Sequence, residues 1–236
     1  MTISSRIRFF IKHLTVSVCI ALLIIAVVFF IWYPAPLAKT EGVSNIFLML
    51  LTIDVILGPL LGLLVYKKGK KTLKMDLSII IFIQILALSY GVYAIAKPRP
   101  AWIVQAGWLF ELVPANSIDS ENQLKAQAPY CSNPIFGPQW VAVNEYKNPN
   151  SFLATPHLMP ALYADMSYAK QRLSQYALQL KDLYTFNEKN NVDKVLDNYP
   201  NAKYWMPLRT SGKGLVVLLG QEYQVIQIVD LDPWEE

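Results

Sequence analysis

Three apolar runs dominate the first 97 residues, at about 14–33, 44–66 and 76–96, and each is nearly free of charge. About twenty helical residues cross the ~30 Å hydrocarbon core of a bilayer, so each run reads as a transmembrane helix. The first follows Arg6, Arg8 and Lys12 and has a longer apolar core than the ~7–15 residues of a signal peptide. No good small-x-small cleavage site follows it, so an uncleaved anchor is expected. It ends in "FFIWYPAPLAK", where Trp32 and Tyr33 are expected to be interfacial anchors at the headgroup level.

Charge gives these spans an orientation. Only 16% of residues are charged, against ~25% in an ordinary soluble domain. Residues 1–97 hold ten Lys/Arg and three Asp/Glu, a balance of +7, whereas 98–236 hold eleven and fourteen, a balance of −3. A basic, apolar half joined to a mildly acidic one is a membrane profile, not a nucleic-acid-binding one. Between the second and third runs lies "KKGKKTLKMD", with Lys67, Lys68, Lys70, Lys71 and Lys74. Short cytoplasmic loops carry such an excess. The N-terminus and this loop are therefore expected in the cytoplasm, with 34–43 and 98–236 outside, which in a bacterium is the periplasm. Cys19 lies within the first run, so Cys131 is expected to be a free thiol.

The second run, "LLTIDVILGPLLGLLVYKKGKK" (50–71), contains an aspartate and a proline. A carboxylate at mid-membrane costs ~2.5–3.5 kcal/mol on insertion scales, and Pro59 removes a helical hydrogen bond. If Tyr66 and Asp76 lie level, an antiparallel pairing of the second and third runs sets Asp54 opposite Leu88, near Ser89 and Tyr90. The same register sets Gln84 opposite Gly58, beside the carbonyls that Pro59 leaves unpaired. Asp54, Gly58 and Gly62 recur every four residues on one face, and Gln84, Ala87, Gly91 and Ala94 form a comparable stripe. Small-xxx-small faces let helices approach closely. The candidate helix-packing or partner-binding residues are accordingly Asp54, Gly58, Pro59, Gly62, Gln84, Tyr90 and Gly91. They either pack the hairpin or receive a partner's transmembrane helix; a lone intramembrane carboxylate without inverted repeats is thin machinery for transport.

Residues 98–236 read as one extracytoplasmic α+β domain after a three-span domain at 1–97. Pro98 and Pro100 end the third helix, and Trp102 to Val113 reads as one extended strand. Residues 119–137 are expected to be irregular with at most a short helix. A second strand is expected at "QWVAVNEY" (139–146), closed by the turn "KNPN". A 3.6-residue apolar period predicts a helix from Ser167 to Phe186, and a shorter one runs from an Asn191 cap to "YPN". Two or three strands with turns at Ser211-Gly212 and Gly220 to Glu222 complete the domain.

Nothing in these residues demands catalysis, a cofactor or a metal. "TSGKG" (210–214) lacks the spacing of a phosphate loop. His13 and His157 are expected on opposite sides of the membrane, and no signature surrounds a Cys131–His157 pair. Asp230, Asp232, Glu235 and Glu236 read as a solvated acidic end.

Taken together, "WYPAP", "DVILGPLLGLLVYKKGK", "DLSIIIFIQILALSYG", the "RP" after the third run and the closing "VVLLGQEYQVIQIVDLDPW" resemble the TfpX/TfpZ family of type IV pilin accessory proteins. The resemblance is strongest over 32–100 and 204–234 and weakest over 115–200. It rests on Tyr33, Pro34, Asp54, Gly58, Pro59, Leu60, Asp76, Gln84, Tyr90, Gly91, Arg99, Pro100, Asp230, Pro233 and Trp234. It implies a non-enzymatic accessory protein of the inner membrane whose partner is a type IV major pilin, held before assembly by one N-terminal helix with its head in the periplasm. The Gly58/Gly62 stripe would meet that helix and the α+β domain the head. The alternatives are a membrane enzyme that modifies pilin, for which 34–43 offers only Glu41, and an immunity-type protein that sequesters a periplasmic target.

Overall fold

Lipid offers a backbone no hydrogen-bonding partners, so a lone apolar segment satisfies its own N–H and C=O groups as a helix. All three apolar runs do so in the computed structural model, which describes residues 4–144 and 155–234. Helix α1 (Ser5–Ala26) continues as a wider π-helical stretch, Val27–Trp32. A single turn, α2 (Leu37–Thr40), precedes α3 (Val43–Val65) and α4 (Leu73–Ala96). By length and composition the three long helices can each cross a membrane. The first starts well before the expected Leu14, because Arg6, Arg8 and Lys12 are good helix formers and extend it. The chain divides into two units, one of 1–31 with 42–97 and one of 32–41 with 98–236.

In the helical unit α3 packs against both α1 and α4. Arg6 donates to the carbonyl of Leu63 in the last turn of α3, where carbonyls lack intrahelical donors. Phe9 stacks on Tyr66, with centroids 5.4 Å apart, and Phe29 meets Phe47, so α1 and α3 are antiparallel. The loop into α4 is tied by Lys70 to Asp76 at 2.7 Å and by Thr72 Oγ1 to Asp76 at 3.0 Å.

The second unit is an α+β domain built on an eight-stranded sheet. Its strands are β1 (Pro100–Ala106), β2 (Leu109–Pro114), β3 (Gln139–Val143), β4 (Tyr163–Ala164), β5 (Leu178–Gln179), β6 (Tyr204–Arg209), β7 (Leu215–Leu219) and β8 (Val225–Val229). The order is β4-β3-β1-β2-β6-β7-β8, with β5 paired to β6 beside β2. The β1–β3 and β2–β6 pairs are parallel and the others antiparallel. Alternation sends Ile103, Phe110, Met206, Leu208 and Val217 to one face, where Ala169 and Leu173 of the segment leading through α6 (Lys170–Tyr176) cover them. The opposite face carries two clusters. Trp102, Val104, Val141 and Tyr163 form one; Trp205, Val216 and Leu218 form the other with Leu183 and Val192. Those last two belong to α7 (Leu183–Phe186) and α8 (Lys189–Asn198). The short helix in 119–137 is α5 (Ser120–Leu124).

Several expectations need correction. Trp102 to Val113 is a hairpin rather than one strand: Gly107, at φ 62°, reverses the chain, and Gln105 Nε2 donates to its carbonyl at 2.7 Å. The Ser167–Phe186 period does not yield one helix. Ala177 is extended, and Leu178-Gln179 pair with β6, where Trp205 Nε1 donates to the Gln179 carbonyl at 2.9 Å. Backbone pairing there outweighs a helical pattern that was only local. Helix α8 begins at Lys189 after Glu188, not at an Asn191 cap. Beyond Asn144 the second strand candidate and its "KNPN" turn lie outside the described residues, as do Glu235 and Glu236. Asp230 and Asp232 are not free in solvent: Lys39 meets Asp230 at 2.6 Å, and Lys213 meets Asp232 at 2.5 Å.

Sequence spacing placed 34–43 outside the membrane without assigning it to either domain. Leu37 belongs to the main sheet core, and Glu41 accepts from the Ser211 hydroxyl at 2.6 Å. Tyr33 is only 1% exposed, so its ring does not serve as a headgroup anchor. Burial, with Glu41 nearby and Arg99 acting in the opposite sense, pushes its phenol pKa up. Trp32 is half-buried.

The end of the described chain is clamped. Asn187 Nδ2 donates to the Asp232 carbonyl and Asp232 N to Asn187 Oδ1, both at 2.8 Å. Pro233 and Trp234 then lie on Gly214, where a Cβ would come 2.6 Å from the Trp234 ring. Gly214→Ala is expected to destabilise the domain by ~1–3 kcal/mol. In a Trp234→Ala background the same change should cost much less, a coupling that thermal unfolding of the four proteins of the cycle will reveal.

Candidate functional site

The site is built on α3, whose residues at 54, 58 and 62 face its neighbours. Pro59 has no N–H for the carbonyl of Val55, one turn back. Gln84 of α4 answers one residue earlier, with Nε2 donating to the Asp54 carbonyl at 3.2 Å. Gly58 makes room for it, since a Cβ there would fall 1.7 Å from Gln84 Nε2. Gly62 does not face α4. Its missing side chain accommodates α1, with Phe9 Cε1 3.0 Å and His13 Nδ1 3.4 Å from where a Cβ would stand. On α4, Gly91 receives Leu50, whose Cδ2 would lie 2.8 Å from an added Cβ. Tyr90, 73% exposed, points away, and neither it nor Ser89 bonds to Asp54. The stripe proposed to receive a partner is thus closed: Gly58 and Gly62 are both buried, by Gln84 and by α1.

What remains open is a groove. Because α1 and α4 both pack on α3, they flank a cavity of about 460 Å³ whose floor is Leu51, Asp54 and Val55. Its walls are His13, Val16, Ser17 and Ile20 of α1, with Ile81, Gln84, Ile85 and Leu88 of α4. A smaller cavity of about 220 Å³ lies along the α3–α4 seam and is also lined by Asp54, Gly58 and Gln84. Two buried polar atoms here, His13 Nδ1 and Gln84 Oε1, lack hydrogen-bond partners among the described residues, and the half-buried Asp54 lines the same cavity. In an apolar medium such groups are costly unless something outside the chain satisfies them. Sequence spacing paired the second and third helices but gave no sign that α1 supplies a groove wall or that His13 faces it.

A second concave site lies in the α+β unit, where the parallel register sets Glu111 beside Arg209. Their side chains meet at 2.9 Å, and His157 Nδ1 is 4.0 Å from the same carboxylate oxygen. With Gly107, Trp108 and Val143 these line a cavity of about 330 Å³. Arg172 braces its rim, donating to Gln105 Oε1 at 2.8 Å and to the Val143 carbonyl at 2.6 Å. Burial raises the Glu111 pKa against the pull of Arg209, while burial and the Arg209 charge both lower that of His157. Cys131 is exposed and free. Among the described residues no three His, Cys, Asp or Glu side chains cluster as metal ligands would.

A family model described as "Fimbrial assembly protein FimB" matches residues 1–42. The fimbrial assembly protein of serogroup I from Dichelobacter nodosus is 27% identical over 243 residues, 94% of each chain. That of serogroup E1 is 33% identical over 138 residues, 58% of this chain and 54% of the relative. That of serogroups C1 and C2 from the same organism is 38% identical over 94 residues, 39% of this chain and 72% of the relative. This chain belongs to the fimbrial assembly protein family. The FimB match contains the α1 wall of the groove and all of the 32–41 segment that Leu37 anchors in the sheet core. No solved structure matches the chain.

The His157 environment sets a pH dependence. Its folded-state pKa lies below the ordinary value, so the unfolded chain takes up its proton first. Its stabilising contribution is therefore full above about pH 6.5 and is lost as the pH falls through the lower folded value. Melting temperatures of the full-length protein, recorded from pH 7.5 downward, should fall less steeply for His157→Gln. Equal slopes would remove His157 from the account.

Proposed function

We propose that this chain is a non-enzymatic accessory protein of the bacterial inner membrane, of the TfpX/TfpZ type. It assists type IV fimbrial assembly by contacting pilin while pilin is still held in the membrane. The observation that carries this reading is the groove over Asp54. An apolar trough between α1 and α4, with unpartnered polar atoms along it, is suited to a single apolar helix bearing a hydrogen-bond donor or a cation. The relatives' name, fimbrial assembly protein, supplies the context in which such a helix belongs to a pilin. The docking face is this groove and not the Gly58/Gly62 stripe, and the α+β unit engages the pilin head.

The orientation follows from the basic residues. Arg6 reaches the last turn of α3, and the Lys67–Lys74 loop joins that end of α3 to α4, so both basic groups share one end of the helical unit. Short loops rich in lysine face the cytoplasm. A periplasm-dependent reporter fused after Glu236 should be active, and the same reporter at Gly69 silent; the reverse pattern would invert the topology.

Filling the groove tests the docking. Val16 and Ile85 are each 56% exposed and line it without carrying the glycine contacts, so Val16→Trp and Ile85→Trp should leave protein levels in the membrane normal. Photo-cross-linking from position 17 to pilin should be lost in both variants, and surface pili should drop several-fold while total pilin persists. Unchanged cross-linking and piliation with normal levels would refute docking in the groove. Gly62→Leu is not an equivalent probe, since it drives a side chain into Phe9 and disturbs the α1–α3 packing itself.

A further inference from the structure

The α+β unit buries its large apolar side chains in three clusters. Some stay exposed, Trp108 and Tyr168 among them, and the short segment "NPIFGP" (133–138) departs furthest, with Ile135 64% exposed and Phe136 82% exposed. Leu124, 82% exposed, belongs to a helix tied to the same segment through Gln123, whose Nε2 donates to Asn133 Oδ1 at 2.9 Å. The segment is firmly built. Asn133 Oδ1 also accepts from Trp102 Nε1 at 3.2 Å, and Asn133 Nδ2 donates to the Ala115 carbonyl at 2.9 Å. Prolines at 134 and 138 restrict the backbone on either side, and Gly137, at φ 74°, turns it back. Two apolar side chains are thus held outward on a braced turn.

The chain's course identifies what they meet. Helix α4 ends at Ala96, and Arg99 Nη2 donates to the Pro134 carbonyl at 3.2 Å. Three residues span at most about 11 Å, whereas the polar zone of a leaflet is roughly 5–8 Å deep. The backbone at Arg99 is therefore confined to the neighbourhood of the membrane surface, and its guanidinium holds the turn there. Lys97, which is exposed, adds positive charge suited to phospholipid phosphates.

We propose that Ile135 and Phe136 insert into the boundary between headgroups and acyl chains and anchor the α+β unit to the bilayer. The inference rests on α4 crossing the membrane and is independent of any fimbrial role. Such an anchor sets the face that the domain turns to the lipid, and with it the face left open to a partner.

Site-directed spin labelling of the full-length chain tests it. Labels are placed on Phe136→Cys, Ile135→Cys and, as a control, Lys181→Cys, each in a Cys19→Ser, Cys131→Ser background and reconstituted into phosphatidylcholine–phosphatidylglycerol liposomes. At 135 and 136 collisions with oxygen should exceed those with a water-soluble nickel chelate. At 181, an exposed position, the ratio should reverse. A nickel-dominated signal at 136 matching that at 181 would place the turn in water and overturn the proposal. Low accessibility to both relaxants would place it against protein, from a second copy, and overturn it equally.

Discussion

A helix in lipid must satisfy its backbone from within the protein, and Pro59 interrupts that rule in the helix on which both neighbours pack. Residues of two helices meet beside that gap. Gln84 brings a donor to the Asp54 carbonyl, one residue before the Val55 carbonyl that Pro59 deprives, and Gly58 leaves the space through which it reaches. That contact fixes the register of α3 against α4 and leaves the Asp54 carboxylate turned to the groove that α1 completes. A hydrogen bond to one backbone carbonyl thus positions the polar floor on which the proposed docking depends. Gly62 and Gly91 serve the same packing from either end, each replaced in space by a side chain of a neighbouring helix.

The α+β unit solves a different problem, covering both faces of a mixed sheet with few long helices. One face is sealed by the α6 segment and by Leu37, which comes from the residues between the first two long helices. The other carries two apolar clusters, and between them Glu111 of β2 meets Arg209 of β6. Burying a carboxylate is tolerable there because a guanidinium lies across the strand pair. Its exposed neighbour Trp108 sits on the tight β1–β2 turn, which leaves this cavity open at its rim.

Much of the fold was legible because its determinants are local. The lengths of three apolar runs, the lysines between them and the punctuation by Pro98 and Pro100 concern neighbours in sequence. The antiparallel register of α3 and α4 was legible for a related reason: a short loop leaves little freedom, so counting back from Tyr66 and Asp76 sets Gln84 against Gly58. Where a local pattern competed with a distant partner, the reading failed. The 167–186 period is helical by itself, yet Leu178 and Gln179 pair with β6, and Trp205 caps the arrangement. Tyr33 has the flanking context of a headgroup anchor, but it belongs to a segment whose Leu37 is part of the sheet core.

The sequence by itself determined that three helices would be apolar along their length, that an α+β domain would follow, and that Asp54, Pro59 and Gln84 would have to answer one another. Each conclusion follows from composition and short-range spacing, which fix what a segment must bury. Tertiary structure alone decided which surfaces that burial consumes. It assigned Gly62 to α1 rather than to a partner, made the groove between α1 and α4 the open face, and drew 32–41 into the sheet core. Helical spacing states that a face is small or polar, but which neighbour fills it depends on contacts between residues far apart in the chain, and those exist only once the helices and strands have packed.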